Sequence, residues 1–223
     1  MSSLSGAEFE SPLPAAAASP REKEVLRKAR DGDRSAFGQI VGWYQDRLYN
    51  AILRMVGDPD DARELTQEAF TRALDRLETF RGESGPYTWL FRIAMNLAIT
   101  RLRQDQRRRT FSLDAAGGGN GRHRESAGQA SSLMDRVASD PGQSPAARME
   151  RRERDQEVLA ALGRIDADYR AVLIMRDVEG FDYQQMADVL GLALGTLKSR
   201  LFRARVALRD ELSAYMTEHA PRQ

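Results

Sequence analysis

Thr196, Lys198, Ser199, Arg200, Phe202 and Arg203 lie within the run LGTLKSRLFRARVALR at 194–209. Their groups suit the edges of base pairs. Lysine and arginine donate to guanine, serine bonds several bases, and an aromatic ring can touch a thymine methyl. In the same run Leu194, Leu197, Leu201, Ala204 and Leu208 recur at the spacing of an apolar helical stripe. That stripe turns Thr196, Lys198, Ser199, Phe202 and Arg203 outward, with Arg200, Arg205 and Arg209 on the flanks. The element before it is equally legible. Asp182 stands at a helix start with Gln185 three residues on, the capping-box spacing, followed by Met186, Ala187 and Leu190 on one face. Gly191 then suits a left-handed helix end, and Leu192 can pack back beneath it. Two short helices joined by a glycine turn, the second with a cationic outward face, form a helix-turn-helix whose second helix enters the major groove. The bland alternative is an amphipathic helix with a solvated basic face. Ala193 departs from the pattern, because alanine at that cap forgoes about 0.5–2 kcal/mol.

A second constellation occupies TFRGESGPYTWLFRIAMNLAI at 79–99. A glycine-rich loop containing Arg81 leads into a helix crowded with Tyr87, Trp89, Phe91, Arg92 and Asn96. Aromatic faces stack on unpaired bases and an asparagine amide can bond a base edge, so this group could hold melted single-stranded DNA. A hydrophobic core is the competing use. Leu90, Ile93 and Leu97 form the inner stripe, Tyr87, Arg92 and Asn96 need not lie on it, and Trp89 suits either role. The cluster RLRQDQRRR at 101–109, with Arg101 and Arg103, continues the helix and suits phosphate contact or a solvated helix end.

At 223 residues the chain can hold two small helical domains, an expectation that its 41% hydrophobic content supports. The formal net charge is only +1 although 30% of residues are charged, so nucleic-acid affinity must come from segregated charge. The absence of cysteine excludes disulfides and thiolate zinc sites. His123 has no partner in the sequence, and neither a metal nor a cofactor is expected. No run approaches a membrane span, and the expectation is a soluble cytoplasmic protein without membrane insertion.

Taken in order, residues 1–20 read as a disordered tail, and 21–110 as a first all-α domain. In that domain a short helix from Glu22 and the turn Asp31-Gly32-Asp33 precede a long helix ending at Gly57. Asp58 and Pro59 then start an acidic helix, DDARELTQEAFTRALDRL, which buries Ala62, Leu65, Ala69, Phe70 and Leu77. Residues 111–147 are rich in glycine, serine and alanine and read as a flexible linker, and helical periodicity returns over 148–215.

The order of the three stretches DDARELTQEAFTRALDRL, FRGESGPYTWLFRIAMNLA and DADYRAVLIMRDVEGFDYQQMADVLGLALGTLKSRLFRAR resembles the extracytoplasmic-function RNA polymerase sigma factors of the sigma-70 family. The resemblance covers 24–110 and 148–212 and implies an all-α protein of two small domains, sigma region two and sigma region four, joined by the linker. It implies a promoter-specificity subunit and not an enzyme. By resemblance the acidic helix at 60–78 docks on the clamp of the largest polymerase subunit, with Glu64, Gln67, Glu68 and Phe70 as contacts. Arg81, Tyr87, Trp89, Arg92 and Asn96, followed by Arg101 and Arg103, would recognise and open the minus-ten element. Thr196, Lys198, Ser199, Arg200, Phe202 and Arg203 would bind the minus-thirty-five element, while region four rests on the flap of the second-largest subunit. The partners implied are core RNA polymerase, promoter DNA and an anti-sigma factor. Gly85-Pro86 departs from the small-then-bulky pair common in that loop, which bears on the choice of minus-ten base. A stand-alone regulator would explain 182–209 equally well but not the aromatic and arginine cluster at 87–109. An enzyme fares worse, since no phosphate-binding loop, metal-ligand spacing or nucleophile elbow occurs.

Overall fold

Local chemistry sets most helix boundaries in the computed structural model, which describes residues 19–82, 84–115 and 145–218. Expectations for the tail up to residue 18 and for 116–144 lie outside the described residues. Helix α1, Pro20–Arg30, opens two residues before the expected Glu22 because Ser19 and Glu22 form a reciprocal capping box with proline in the first turn. Asp33 accepts the free N–H groups of Ser35 and Ala36 at the start of α2, Arg34–Val56, which ends at Gly57 with φ 76°. Asp58 and Pro59 start α3, Pro59–Asp75, as expected, and Asp60 and Asp61 place carboxylates at the positive end of its dipole.

A short 3₁₀ turn, Leu77–Thr79, and the glycine loop lead into α4, Pro86–Ala115. Helix α5, Pro145–Arg164, resumes the chain, so both ends of the expected 111–147 linker are helical. Then come α6, Ala167–Leu173, and a π-helical turn, Ile174–Val178, absent from the sequence reading. Helix α7, Tyr183–Leu190, has the Asp182–Gln185 capping box and ends at Gly191 with φ 64°, both as expected. Helix α8, Leu194–Glu218, follows. Ala193 gives α8 no side-chain cap, and its first residue Leu194 is 42% exposed and so lies off the buried stripe.

Among the described residues all regular structure is helical. Helix α2 packs on α1, α3 and α4, while α8 packs on α5, α6 and α7. These are the two expected helical groups. They do not stand apart: α4 also packs on α6 and α7, α2 packs on α5, and the apolar core runs through both groups. Phe91 of α4 and Phe181 before α7, both fully buried, meet with ring centroids 4.8 Å apart.

Arg170 of α6 helps to join the groups. It is 6% exposed and donates to the carbonyl of Met55 at the end of α2, to that of Gly163 at 2.8 Å and to that of Ile165 at 3.1 Å. Burial lowers its pKa to about 10, still charged at neutral pH. The guanidinium satisfies carbonyls that terminate helices and would otherwise be orphaned. Arg170→Ala should therefore lower unfolding free energy by about 2–4 kcal/mol in urea titration, combining buried unpaired acceptors with a cavity. A loss under about 0.5 kcal/mol would show that the carbonyls find other partners.

Candidate nucleic-acid interface

The buried face of α8 is made by Leu197, Leu201 and Ala204, with Ala207 and Leu208 half-buried. Thr196, Lys198, Ser199, Phe202 and Arg203 consequently point to solvent, as expected, and Phe202 is 70% exposed. Arg200 is half-buried and lies 3.6 Å from the Asp168 carboxylate. A polar cleft between α6 and α8 brings Asp166, Asp168 and Tyr169 up to Thr196, Ser199, Arg200 and Arg203. Tyr183 of α7 supports the face from below, with Lys198 5.8 Å and Arg176 4.9 Å from its ring centre.

Helix α4 separates the second set of expected residues. At about 100° per residue, Trp89, Arg92, Asn96 and Arg103 share one side, whereas Tyr87 and Arg101 fall on the other. Arg92, Asn96 and Arg103 are exposed, and so are Thr100 and Arg107 on the same side. Trp89 is half-buried with its ring 5.2 Å from Phe80, one edge in the core and one in solvent. Arg81 is exposed in the loop before the helix. Proline 86 occupies the first turn of α4, and the carbonyl of Gly85 accepts the Trp89 N–H at 3.1 Å, so the unusual Gly85-Pro86 pair starts the helix.

Tyr87 is 4% exposed, lodged against Phe91 and Phe181. Its hydroxyl donates to Glu179 at 2.8 Å. Burial, and next the Glu179 charge, hold the phenol well above its usual pKa. In this arrangement its ring has no free face for a base. Arg101 departs from the phosphate-contact expectation too. It donates to Asp61 at 2.7 Å and to Glu64 at 3.2 Å on α3, and these bonds raise its pKa.

On α3, Glu64 and Gln67 are exposed and Glu68 is half-buried beside Arg72 at 2.6 Å. Phe70 is 7% exposed and lies on the flank between this acidic face and the buried stripe. Leu74, 44% exposed on the acidic side, escaped the sequence reading. Its departure from the Leu65–Ala69–Ala73 stripe was the available signal. A third surface was also missed: an open apolar groove lined by Leu173, Leu208 and Leu212, with the Arg205–Asp177 ion pair at 2.5 Å on its rim. Among the described residues no acidic or histidine cluster could hold a metal ion, and no helix is long and apolar enough to cross a membrane.

The model of sigma-70 region 2 matches residues 40–108 and that of sigma-70 region 4 matches 155–208. The RNA polymerase sigma-H factor of Pseudomonas aeruginosa is 33% identical over 198 residues, spanning 89% of this chain and 97% of that protein. The ECF RNA polymerase sigma-E factor of Escherichia coli is 30% identical over 192 residues, spanning 86% and 94%. Among solved structures, CnrH in complex with the cytosolic domain of CnrY superposes with a TM-score of 0.55 at 26% identity, over 86% of this chain and 97% of that one. The sigma factor RpoE of Bartonella quintana, solved with the anti-sigma factor NepR, shares the fold with a TM-score of 0.54 at 24% identity, over 79% and 96%.

Proposed function

Because the chain belongs to the extracytoplasmic-function sigma factors of the sigma-70 family, whose general role is to direct RNA polymerase to promoters, we propose a division of that work among three of its faces. The outward face of α8 binds the minus-thirty-five element as duplex, through Thr196, Lys198, Ser199, Arg200, Phe202 and Arg203. The exposed side of α4, with Trp89, Arg92, Asn96 and Arg103, and Arg81 from the preceding loop, captures the minus-ten element and holds its separated strand. The acidic face of α3, with Glu64, Gln67, Glu68 and Leu74, docks on the clamp of the polymerase largest subunit.

The observation that carries this reading is the pairing on one chain of two nucleic-acid faces of different chemistry. One is a cationic helix shaped for a groove, and the other joins an aromatic to an amide and arginines, as unpaired bases require. The groove between α6 and α8 offers Leu173, Leu208 and Leu212 to the flap of the second-largest subunit. The protein works in the cytoplasm as a dissociable specificity subunit with no catalysis of its own. It is held in check by an anti-sigma partner, since it carries no thiol with which to sense a redox signal itself.

Run-off transcription with purified core polymerase on a promoter library tests the reading, and a defined start site with a shared upstream element is the expected result. Lys198→Ala and Arg203→Ala should each weaken that promoter's use by about 1–3 kcal/mol if the side chain reads a base, relaxing one position of the upstream element. If the side chain meets phosphate instead, the salt slope should fall by about one. Unaltered promoter affinity and salt dependence in both variants would remove this face from the interface.

A further inference from the structure

The two edges of the outward face of α8 have opposite electrical surroundings. On the α7 side, the neighbours of Lys198 are the Tyr183 ring, 5.8 Å away, and Arg176, which meets the same ring at 4.9 Å. On the α6 side, the polar cleft sets two carboxylates, Asp166 and Asp168, against Thr196, Ser199, Arg200 and Arg203. Arg200 Nη1 lies 3.6 Å from Asp168 Oδ2, and the two side chains are only 25% and 30% exposed. Asp168 is itself held in place. Its N–H donates to Asp166 Oδ1 at 2.8 Å in the first turn of α6, and its carboxylate also accepts from Arg103 of α4 at 3.0 and 3.2 Å. A carboxylate bordering a groove-reading face repels the phosphates that every duplex presents, whatever its sequence. That repulsion falls on the part of binding that carries no sequence information.

We propose that Asp168 is a specificity-determining residue of the minus-thirty-five interface that acts through Arg200, restraining its guanidinium so that it reads a base edge and is withheld from phosphate. The inference rests on the reading of α8 as the minus-thirty-five face. Asp168 touches no DNA in this scheme and is a positioning residue. A guanidinium carries five N–H donors, so a carboxylate beside Nη1 leaves others for the acceptors of a guanine. An unrestrained arginine on the flank of the helix could swing to the nearest phosphate of any duplex. The ion pair balances its charge, which weakens that alternative, and the half-buried side chain has less freedom to lose when it meets a base. Specificity is a difference between affinities for right and wrong sequences, and a repulsive element placed against the wrong ones raises it without any new contact to the right one.

Holoenzyme made from the full chain and core polymerase provides the test. It is titrated over a range of salt against the promoter mapped by run-off transcription, against versions with each other base at every minus-thirty-five position, and against a random duplex of the same length. Arg200→Ala should remove about five- to a hundredfold of base preference at one position and leave the salt slope unchanged. Asp168→Asn should lower the preference at that same position about two- to fivefold, the strength of a part-exposed ion pair. It should also tighten binding to random duplex and steepen that salt slope by about one, as Arg200 turns to phosphate. Added to Arg200→Ala, it should change base preference no further, whereas Asp168→Glu should keep the preference of the natural chain. Arg103→Ala, which removes the other partner of Asp168, should keep it too. Asp168→Asn that leaves preference and salt slope as they were, or that shifts affinity for every sequence equally, would overturn the proposal. So would Arg200→Ala that weakens all sequences alike and lowers the slope by about one, the mark of a phosphate contact. Failure of the minus-thirty-five reading shows separately, as unaltered preference and slope in Lys198→Ala, Arg200→Ala and Arg203→Ala alike.

Discussion

Replacing Arg92 and Asn96 together by alanine should leave the chain bound to core polymerase yet unable to hold an open promoter. Both side chains are exposed one helical turn apart on α4, and neither belongs to the apolar core, so the fold should survive the change. A stacked or hydrogen-bonded base contributes about 1–3 kcal/mol per contact, and two contacts about 2–6 kcal/mol, which is at least roughly twenty-fivefold in the opening equilibrium. Polymerase binding should not move, because the acidic face on α3 is untouched. Permanganate footprinting of unpaired thymines reads strand opening directly, and co-elution with core reads docking. Normal footprints with intact docking would assign this side of α4 a structural role only. Tyr87 is unsuited to the same test, because it is buried between the helical groups and its truncation would open a cavity as well as remove a contact.

Local rules carried the sequence reading where the determining residues lie within a turn of one another. Asp58-Pro59 and Asp182 with Gln185 start helices, and Gly57 and Gly191 end them in the left-handed conformation, because capping and positive φ are settled by neighbours in the chain. Ser19-Pro20 with Glu22 carries the same signature, and it starts α1 two residues before the expected Glu22. Apolar periodicity continues through Leu194, but a helix's first turn can project beyond its partner, and there the leucine is exposed.

What escaped the reading depends on partners far away along the chain. Glu179 looks like a solvated acid until Arg47, 132 positions earlier, and Tyr87, 92 positions earlier, close on it. Arg101 stands in an arginine cluster that suits phosphate, but Asp61, 40 positions away, already binds it. Arg170 carries no local signal of burial, yet it is a buried donor to three carbonyls. A lone charged residue in a sequence does not disclose whether it faces solvent or a partner, since burying a charge is tolerable only when such a partner is supplied by tertiary contact. The outward face of α8 was fully legible for the converse reason: helical period alone sets it, and only Arg200 meets a carboxylate across the polar cleft.

Core polymerase should raise the affinity of this protein for its promoter by about 10²–10⁴-fold, the gain expected when a second contact becomes intramolecular. In the free chain several arginines are already occupied. Arg103 is bound to Asp168, Arg101 to Asp61 and Arg205 to Asp177, so each must surrender a carboxylate before it can neutralise a phosphate. With a net charge of only +1, long-range attraction adds little. Counterion release scales with the number of phosphates neutralised, at a slope of about −0.9 per contact on duplex DNA, so the free protein should show both weak binding and a shallow salt slope. Both should increase in the complex with core, where α8 and α4 engage their elements at a fixed separation. A stand-alone regulator would behave in the opposite way, binding a palindrome as a dimer with no need of polymerase. Gel-shift titrations over a range of salt, with and without core, separate the two: tight, sequence-specific binding by the free chain that core leaves unchanged would defeat the division of labour proposed for its faces.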